Sequence, residues 1–515
     1  MRSIIHNFMK YSLLILVSVF ISLITGELLI RYIDDFELTS FHLVKTSTFQ
    51  APNAEAMANE RESSEEILTA ARDRLTSPGV NSDWFWLSPP LPLPARASEE
   101  TLRRLKEYPS DPYGAFYWWN KNYLKESLCK GRTLGSLGIL DTFFTFDPRD
   151  NSIYPLFRHI PNMTYSVWFK ANAFGFRGPA LQLNKPDNVV RIAFVGASTT
   201  VNAFGVKYSY PEYVVHWLNI WARENSLQLK FEVINAGRAG VASPSIAAAF
   251  VNEVSPLEPD FTVYYEGSNQ FYPISYLDFD SQLLSNKIVR YLKLRPFENY
   301  SATLRRLYIV WDRFNSKDGA EPYKGSYTVN WPQGLNEFEP DIDTDELPVQ
   351  LNTILSDLDR IRAEVKRRGS TFVLSSFIWM VEDGMVLDPK KNIAIWRQLN
   401  ETYWPIPYAH FRRMADFQNR VFHAYAQSRD IAFIDVATGF PMDPRLFNDA
   451  IHMNEDGLRL RAWVTFQKLL PIVQSRINSG ELPRPDQEHL SKHPSISESP
   501  PALISRQKIM SQCGA

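Results

Sequence analysis

Cysteine is scarce in this 515-residue sequence: only Cys129 and Cys513 occur, far apart, and the second lies in a polar tail. A disulfide framework and a cysteine-based metal site are therefore not indicated, although a single bridge stays open to a protein outside the cytoplasm. The 9 histidines are scattered, without the paired spacing of a zinc site, so no metal and no cofactor is expected. Charge of either sign is not in excess. Lys and Arg number 55 against 57 Asp and Glu, a net charge of -2, and no basic run is present, which argues against nucleic acid as a partner.

What the chain does contain is a set of four short blocks, each placed where a strand ends. Gly196, Ala197 and Ser198 follow the apolar run Ile192, Ala193, Phe194, Val195, which reads as a buried parallel strand. A second strand-like run enters the turn from Asn235 to Gly240, and a third, residues 261–265, leads to Gly267, Ser268 and Asn269. Asp449, Ala450, Ile451 and His452 come after a fourth such run at residues 431–436. Carboxyl ends of parallel strands are where ligands bind in doubly wound sheets. Each block has an ordinary reading by itself. Ser198, Thr199 and Thr200 could cap a helix, Asn269, Asp449 and Asn454 could be turn or cap residues, and Gly237 and Gly240 turn glycines. Four blocks in this order outweigh those separate readings.

In that order the chain resembles the SGNH hydrolases, the GDSL-type esterases and acyl hydrolases, over roughly residues 172–479, and in particular their membrane-anchored bacterial type. The resemblance implies a flavodoxin-like, doubly wound parallel sheet in a three-layer α/β/α fold. It also implies Ser198 as nucleophile, His452 as general base and Asp449 as the carboxylate that orients the imidazole. The oxyanion donors would be the backbone N–H of Ser198, that of Gly240 and the side-chain amide of Asn269. Chemically this is sound. A neutral serine needs a base within hydrogen-bond reach, and fixed donors lower the barrier where a carbonyl oxygen becomes negative. Two positions depart from the family pattern: Ala197 stands where aspartate is usual, and Gln270 where an acidic residue often follows the asparagine. The first puts loop geometry and rate in question more than reaction type.

Residues 11–26 carry no charge, and the apolar stretch continues to Ile30 with Glu27 as its one charged residue. About 20 residues span about 30 Å as a helix, enough for a bilayer core. An uncleaved membrane anchor is expected over residues 1–31, with a cleaved signal peptide as the rival. Arg2 and Lys10 precede the span, and Asp34, Asp35 and Glu37 follow Arg31, which places the N-terminus in the cytoplasm and the rest outside it. Glu27, near the outer end, is expected to reach the interface and to need no buried partner.

Residues 32–171 read as an accessory region. It holds a helix-like stretch at 55–75, the prolines 89, 90, 92 and 94, and an aromatic cluster at 113–119 that suits either core packing or sugar stacking. The segment 172–178 is similar to one in the membrane-anchored family members. Within 172–479, helices are expected at 211–225 and 243–258, along the stripe Leu351, Leu355, Leu358, Ile361 and Val365, and along Leu458, Ala462, Phe466, Leu469, Val473 and Ile477. A further strand is expected at 371–375. This alternation implies a parallel sheet covered by helices on both faces. The insertion at about 270–346 is expected to cover the site, or else to be a surface elaboration. Residues 480–515, rich in Ser, Pro, Gln and Lys, are expected to be disordered.

The expected function is that of a membrane-anchored extracytoplasmic serine esterase, acyl hydrolase or O-acyltransferase. Its substrate would be an acylated glycan or lipid of the cell envelope. The alternatives are a catalytically silent protein of the same fold that binds glycan or scaffolds assembly, and a lipase or thioesterase.

Overall fold

The computed structural model describes residues 2–33, 64–90, 170–202, 206–273, 334–389, 391–403 and 406–484, with short pieces at 38–39, 144–145, 158–159, 277–278, 301–304, 306–307 and 328–329. The chain forms two compact units, residues 1–57 with 279–327, and residues 58–278 with 328–515.

In the first unit, α1 is a continuous helix, Arg2–Ile33. Many of its side chains fall outside the described residues, and among the described residues no helix is long and apolar enough to cross a membrane. Glu27 departs from the expectation that it needs no partner. Its carboxylate accepts from Arg31 Nε at 2.8 Å, Ser301 Oγ at 2.8 Å, and the backbone N–H groups of Ala302 at 2.8 Å and Thr303 at 3.0 Å. It thus supplies acceptors to the N–H groups at the start of a helical turn, which have no partner within the turn.

The second unit opens with α2, Glu65–Leu75, and holds a parallel sheet of five strands. These are β1, Val189–Gly196; β2, Lys230–Asn235; β3, Phe261–Tyr265; β4, Thr371–Ser375; and β5, Ala432–Ile434. The spatial order is β2-β1-β3-β4-β5, with every pairing parallel. This is the flavodoxin-like order, as the family resemblance implies. β1 is buried at all its positions, in keeping with its unbroken apolar run between two neighbours.

The chain moves one way from β1 to β2 and the other way from β2 through β3 and β4 to β5. Right-handed crossovers therefore put the first connecting helix and the later ones on opposite faces. The helices sort accordingly. The short turn α3, Ser198–Val201, leads to α4, Tyr210–Glu224, which packs with the closing helix; α5, Ser243–Ala249, packs with α6, Leu351–Arg367. A short helix α7, Ile393–Arg397, precedes α8, Tyr408–Ser428, which touches α6, β4 and β5, and α9, Glu455–Asn478, closes the unit. Ser209 and Glu212 form a capping box at the start of α4, and Leu351, Leu355, Leu358, Ile361 and Val365 are buried on α6. The helix expected over 243–258 is not continuous. It widens to a π-helix at Phe250–Val254 and tightens to a 3-10 turn at Ser255–Leu257, where Pro256 lacks the N–H and crowds the carbonyl four residues back.

Three boundaries differ from the sequence reading. Residues 64–90, read as accessory, pack on the sheet's helices: Phe85 is buried with its ring 5.7 Å from Trp463, and Ser77 N–H donates to Gln467. Residues 480–484 are ordered against the core, because Leu482 is buried and Arg484 donates to Asp260 and to the Pro259 and Arg368 carbonyls. The insertion leaves and returns through a two-stranded antiparallel pair, Leu277–Asp278 with Thr328–Val329, and its middle belongs to the first unit. The aromatic cluster at 113–119, both cysteines and residues 485–515 lie outside the described residues.

Asp260 shows how the end of the sheet opposite the site is held. Fully buried before β3, its carboxylate accepts from Lys185 Nζ at 3.0 Å, Arg191 N–H at 2.7 Å and Arg484 Nε at 2.8 Å. Asp260→Ala leaves two cations without this partner and should cost about 3–5 kcal/mol, read as a lower urea midpoint.

Candidate active site

Ser198 lies two residues beyond the end of β1, between the strands β2 and β3 where the chain order reverses. That is the crevice expected to hold a ligand in a sheet of this topology. Its hydroxyl and the His452 imidazole, 254 residues apart in sequence, meet with Oγ 2.8 Å from Nε2. His452 Nδ1 is 2.7 Å from Asp449 Oδ2, completing a Ser–His–Asp relay. The serine is 5% exposed, whereas the His452 and Asp449 side chains are 20% and 30% exposed, so the relay is sheltered but reachable.

The turn that carries Asp449 and His452 is held by several hydrogen bonds. Asp449 Oδ1 accepts the backbone N–H groups of Ile451 at 2.9 Å and His452 at 2.8 Å, while Oδ2 faces the imidazole. Burial works against ionisation of this carboxyl, but the bond to His452 and these N–H groups prevail and hold its pKa below the usual value. Ala450 is pinned on both sides. Its N–H donates to Gln398 Oε1 at 2.8 Å, and its carbonyl accepts from Met380 N–H at 2.8 Å. Asn454 then caps α9, accepting from the N–H groups of Asp456 and Gly457 at 3.1 Å each.

The oxyanion candidates converge on the same edge. Asn269 Nδ2 donates to the Val241 carbonyl at 2.8 Å, which joins the third block to the residue beside Gly240. Gly240 has φ 71, a conformation that favours glycine, and its intermediate exposure leaves backbone open to a ligand. The N–H groups of Ser198 and Gly240 meet no acceptor among the described residues. One hydrogen of the Asn269 amide is committed to Val241, and the second is available to a substrate oxygen. If so, Asn269→Ala should lower kcat by about 10²–10³ with little change in KM, measured on a small ester.

Several supporting residues escaped the sequence reading. Arg177, in the segment 172–178, is buried and donates to the carbonyls of Val201 at 3.2 Å and Val206 at 3.1 Å, and to Asn202, while pairing with Glu212 at 3.3 Å. It braces the chain that leads away from Ser198. Asn235 donates to the Thr200 carbonyl at 3.0 Å, and a side chain at Gly237 would collide with the backbone of Val201. The second block therefore holds the Ser198 turn from behind as well as supplying Gly240. Glu266, at the end of β3, accepts from Ser268 N–H and Asn269 N–H at 2.8 Å each, shaping the third block. Its burial raises the carboxyl pKa against the pull of those donors. An acidic residue directly before a Gly-Ser-Asn turn was the available signal. Trp379, Phe271, Phe411 and Tyr403 pack ring to ring beside the Asn269 and Ala450 segments.

No carboxylate and histidine cluster able to hold a metal occurs among the described residues. No family model matches the sequence, and no curated protein matches it. Solved structures similar to it include an acetylxylan esterase from Geobacillus stearothermophilus, 16% identical, covering 56% of this chain and 96% of that one at a TM-score of 0.31. A GDSL-like lipase from Bacteroides thetaiotaomicron is 14% identical, covering 55% of this chain and 88% of that one at a TM-score of 0.27. Likeness at this level leaves the chemistry of the chain to be read from its own atoms.

Proposed function

We propose that this protein is a serine esterase or acyl hydrolase of SGNH type that works through an acyl-serine intermediate. The observation that carries the reading is the unbroken chain from Ser198 Oγ through His452 to Asp449 at the switch point of the sheet. With Nδ1–H held by the carboxylate, Nε2 is presented as acceptor for the serine proton. The hydroxyl oxygen attacks the ester carbonyl, the N–H donors receive the developing charge, and the imidazolium returns its proton to the leaving alcohol. Water or a second alcohol then resolves the acyl-enzyme, giving hydrolysis or O-acyl transfer.

The substrate we favour is an O-acyl group on a cell-envelope glycan. The loops after β4 and β5 border a cavity of about 320 Å³ lined by Arg74, Glu382, Arg412, Gly439, Phe440 and Met442. None of Ser198, Asp449 and His452 lines this cavity, so it supports the glycan reading only as a neighbouring surface with charged groups beside one aromatic face, which suits a hydroxylated ring better than a long acyl chain. The apolar run at residues 11–26 supports a membrane anchor with a cytoplasmic N-terminus and an extracytoplasmic catalytic domain.

Ala197 keeps the silent-scaffold reading in view. Treating the purified protein with a fluorophosphonate and measuring intact mass separates the two. One adduct, lost in Ser198→Ala, is expected; persistent absence of an adduct on folded protein would remove the esterase reading. Comparing turnover of acetylated oligosaccharides with that of long-chain esters decides between glycan and lipid.

A further inference from the structure

Arg461 stands on the second turn of α9, nine residues after His452, and is 2% exposed. Its guanidinium carbon is 3.6 Å from the ring centroid of Tyr210 on one side and 3.3 Å from that of Tyr265 on the other. Nη1 donates to the carbonyl of Thr199, the residue after the nucleophile, at 2.8 Å. Apart from the neighbouring Tyr210 hydroxyl, Nε and Nη2 meet no hydrogen-bond partner, and none of the ion pairs among the described residues joins the group to a carboxylate.

A buried cation without a counterion is costly, and the two ring faces and one carbonyl recover only part of that cost. An apolar side chain of similar length would fill the slot between two tyrosines more cheaply. The placement suggests what the charge is retained for. α9 is continuous with the turn bearing His452, so the base and Arg461 reach the nucleophile segment from a single rigid element, one at Ser198 and the other at Thr199. A fixed positive charge in a buried site, bonded to the carbonyl of the residue after Ser198, also favours negative charge on an attacked carbonyl oxygen nearby.

We infer that Arg461 is a positioning residue for the acyl-transfer site. It clamps the Ser198 turn to the helix that follows the base and adds a buried positive charge to the surroundings of the oxyanion. This rests on the esterase reading above. It requires that losing Arg461 slow the chemical step without weakening substrate binding.

The test uses Arg461→Met and Arg461→Lys in the full chain, with kcat and KM for 4-nitrophenyl acetate and the rate of fluorophosphonate inactivation. For Arg461→Met, kcat and the inactivation rate should both fall about 10²-fold, the scale of one lost contact to developing charge, with KM within about twofold. Lysine keeps the charge but lacks the planar fork that contacts both rings while reaching the Thr199 carbonyl, so Arg461→Lys should lie between, about tenfold below the unmodified protein. A folded Arg461→Met protein with unchanged kcat and inactivation rate overturns the inference, and so does a loss confined to KM or to thermal stability. Should Arg461→Met not fold, Arg461→Lys decides. A tenfold fall in kcat at unchanged KM supports the clamp, and an unchanged kcat refutes it. Failure of the unmodified protein to react with fluorophosphonate at all would count against the esterase reading itself.

Discussion

Ser198→Ala is expected to lower turnover of 4-nitrophenyl acetate by about 10⁴–10⁶ while leaving the fold and the thermal transition nearly unchanged. The size follows from the geometry. Oγ lies 2.8 Å from the base, so removing it takes away both the attacking atom and the proton His452 would accept. The small stability effect follows equally. The hydroxyl's hydrogen-bond partner is that imidazole, and the turn is held by other atoms, namely the Thr200 and Val201 N–H groups on the Ala197 carbonyl and Arg461 on the Thr199 carbonyl. His452→Ala should approach the same loss, and combining the two should add little, because the pair acts as a unit. A Ser198→Ala protein that retains the rate of the unmodified chain would assign the activity elsewhere.

How far the site was legible in the sequence depended on whether a residue's neighbours announced its place. Ser198, Gly240 and Asn269 follow runs that read as strands ending in a turn, so their position at the sheet's carboxyl edge came with the pattern. Asp449 and His452 were legible by spacing, since a three-residue separation in a turn lets the carboxylate reach both Nδ1 and the backbone. The strand order was not readable from periodicity. It came with the resemblance and agrees with the observed pairings.

Arg461 was missed for a physical reason. It falls within the apolar stripe of α9, three residues after Leu458 and beside Ala462, and a stripe is read by its majority. An arginine at a core-facing position of a helix was the overlooked signal. Arg177 was hidden differently. Most of its partners are backbone carbonyls 24 to 30 residues ahead in sequence, and carbonyls carry no sequence signature. The break in the helix after Ala249 was legible in hindsight through Pro256, whereas the order at Leu482 and Arg484 was masked by the polar composition around them.

Asp449→Asn should lower kcat by about 10³–10⁴, more than the loss of any single oxyanion donor. The substitution leaves the turn intact, since an asparagine Oδ1 can still accept from the Ile451 and His452 N–H groups. That hydrogen bonding fixes which way the amide points, with its NH2 group at the position of Oδ2, 2.7 Å from Nδ1. Two donors cannot face each other there, so the imidazole must turn Nδ1 into an acceptor and carry its proton on Nε2. Nε2–H then points at Ser198 Oγ and cannot take its proton, and no anion remains to stabilise an imidazolium. Asp449→Ala removes the conflicting donor along with the carboxylate and the Oδ1 acceptor of the turn, so a loss smaller than that of Asp449→Asn would make tautomer control the main role, and an equal or larger one would assign it to charge or to the hold on the turn. Measuring kcat for both variants at neutral pH, with fluorophosphonate inactivation rates as a second readout, decides the matter. A rate for Asp449→Asn within tenfold of the unmodified protein would mean that another acceptor can hold Nδ1–H.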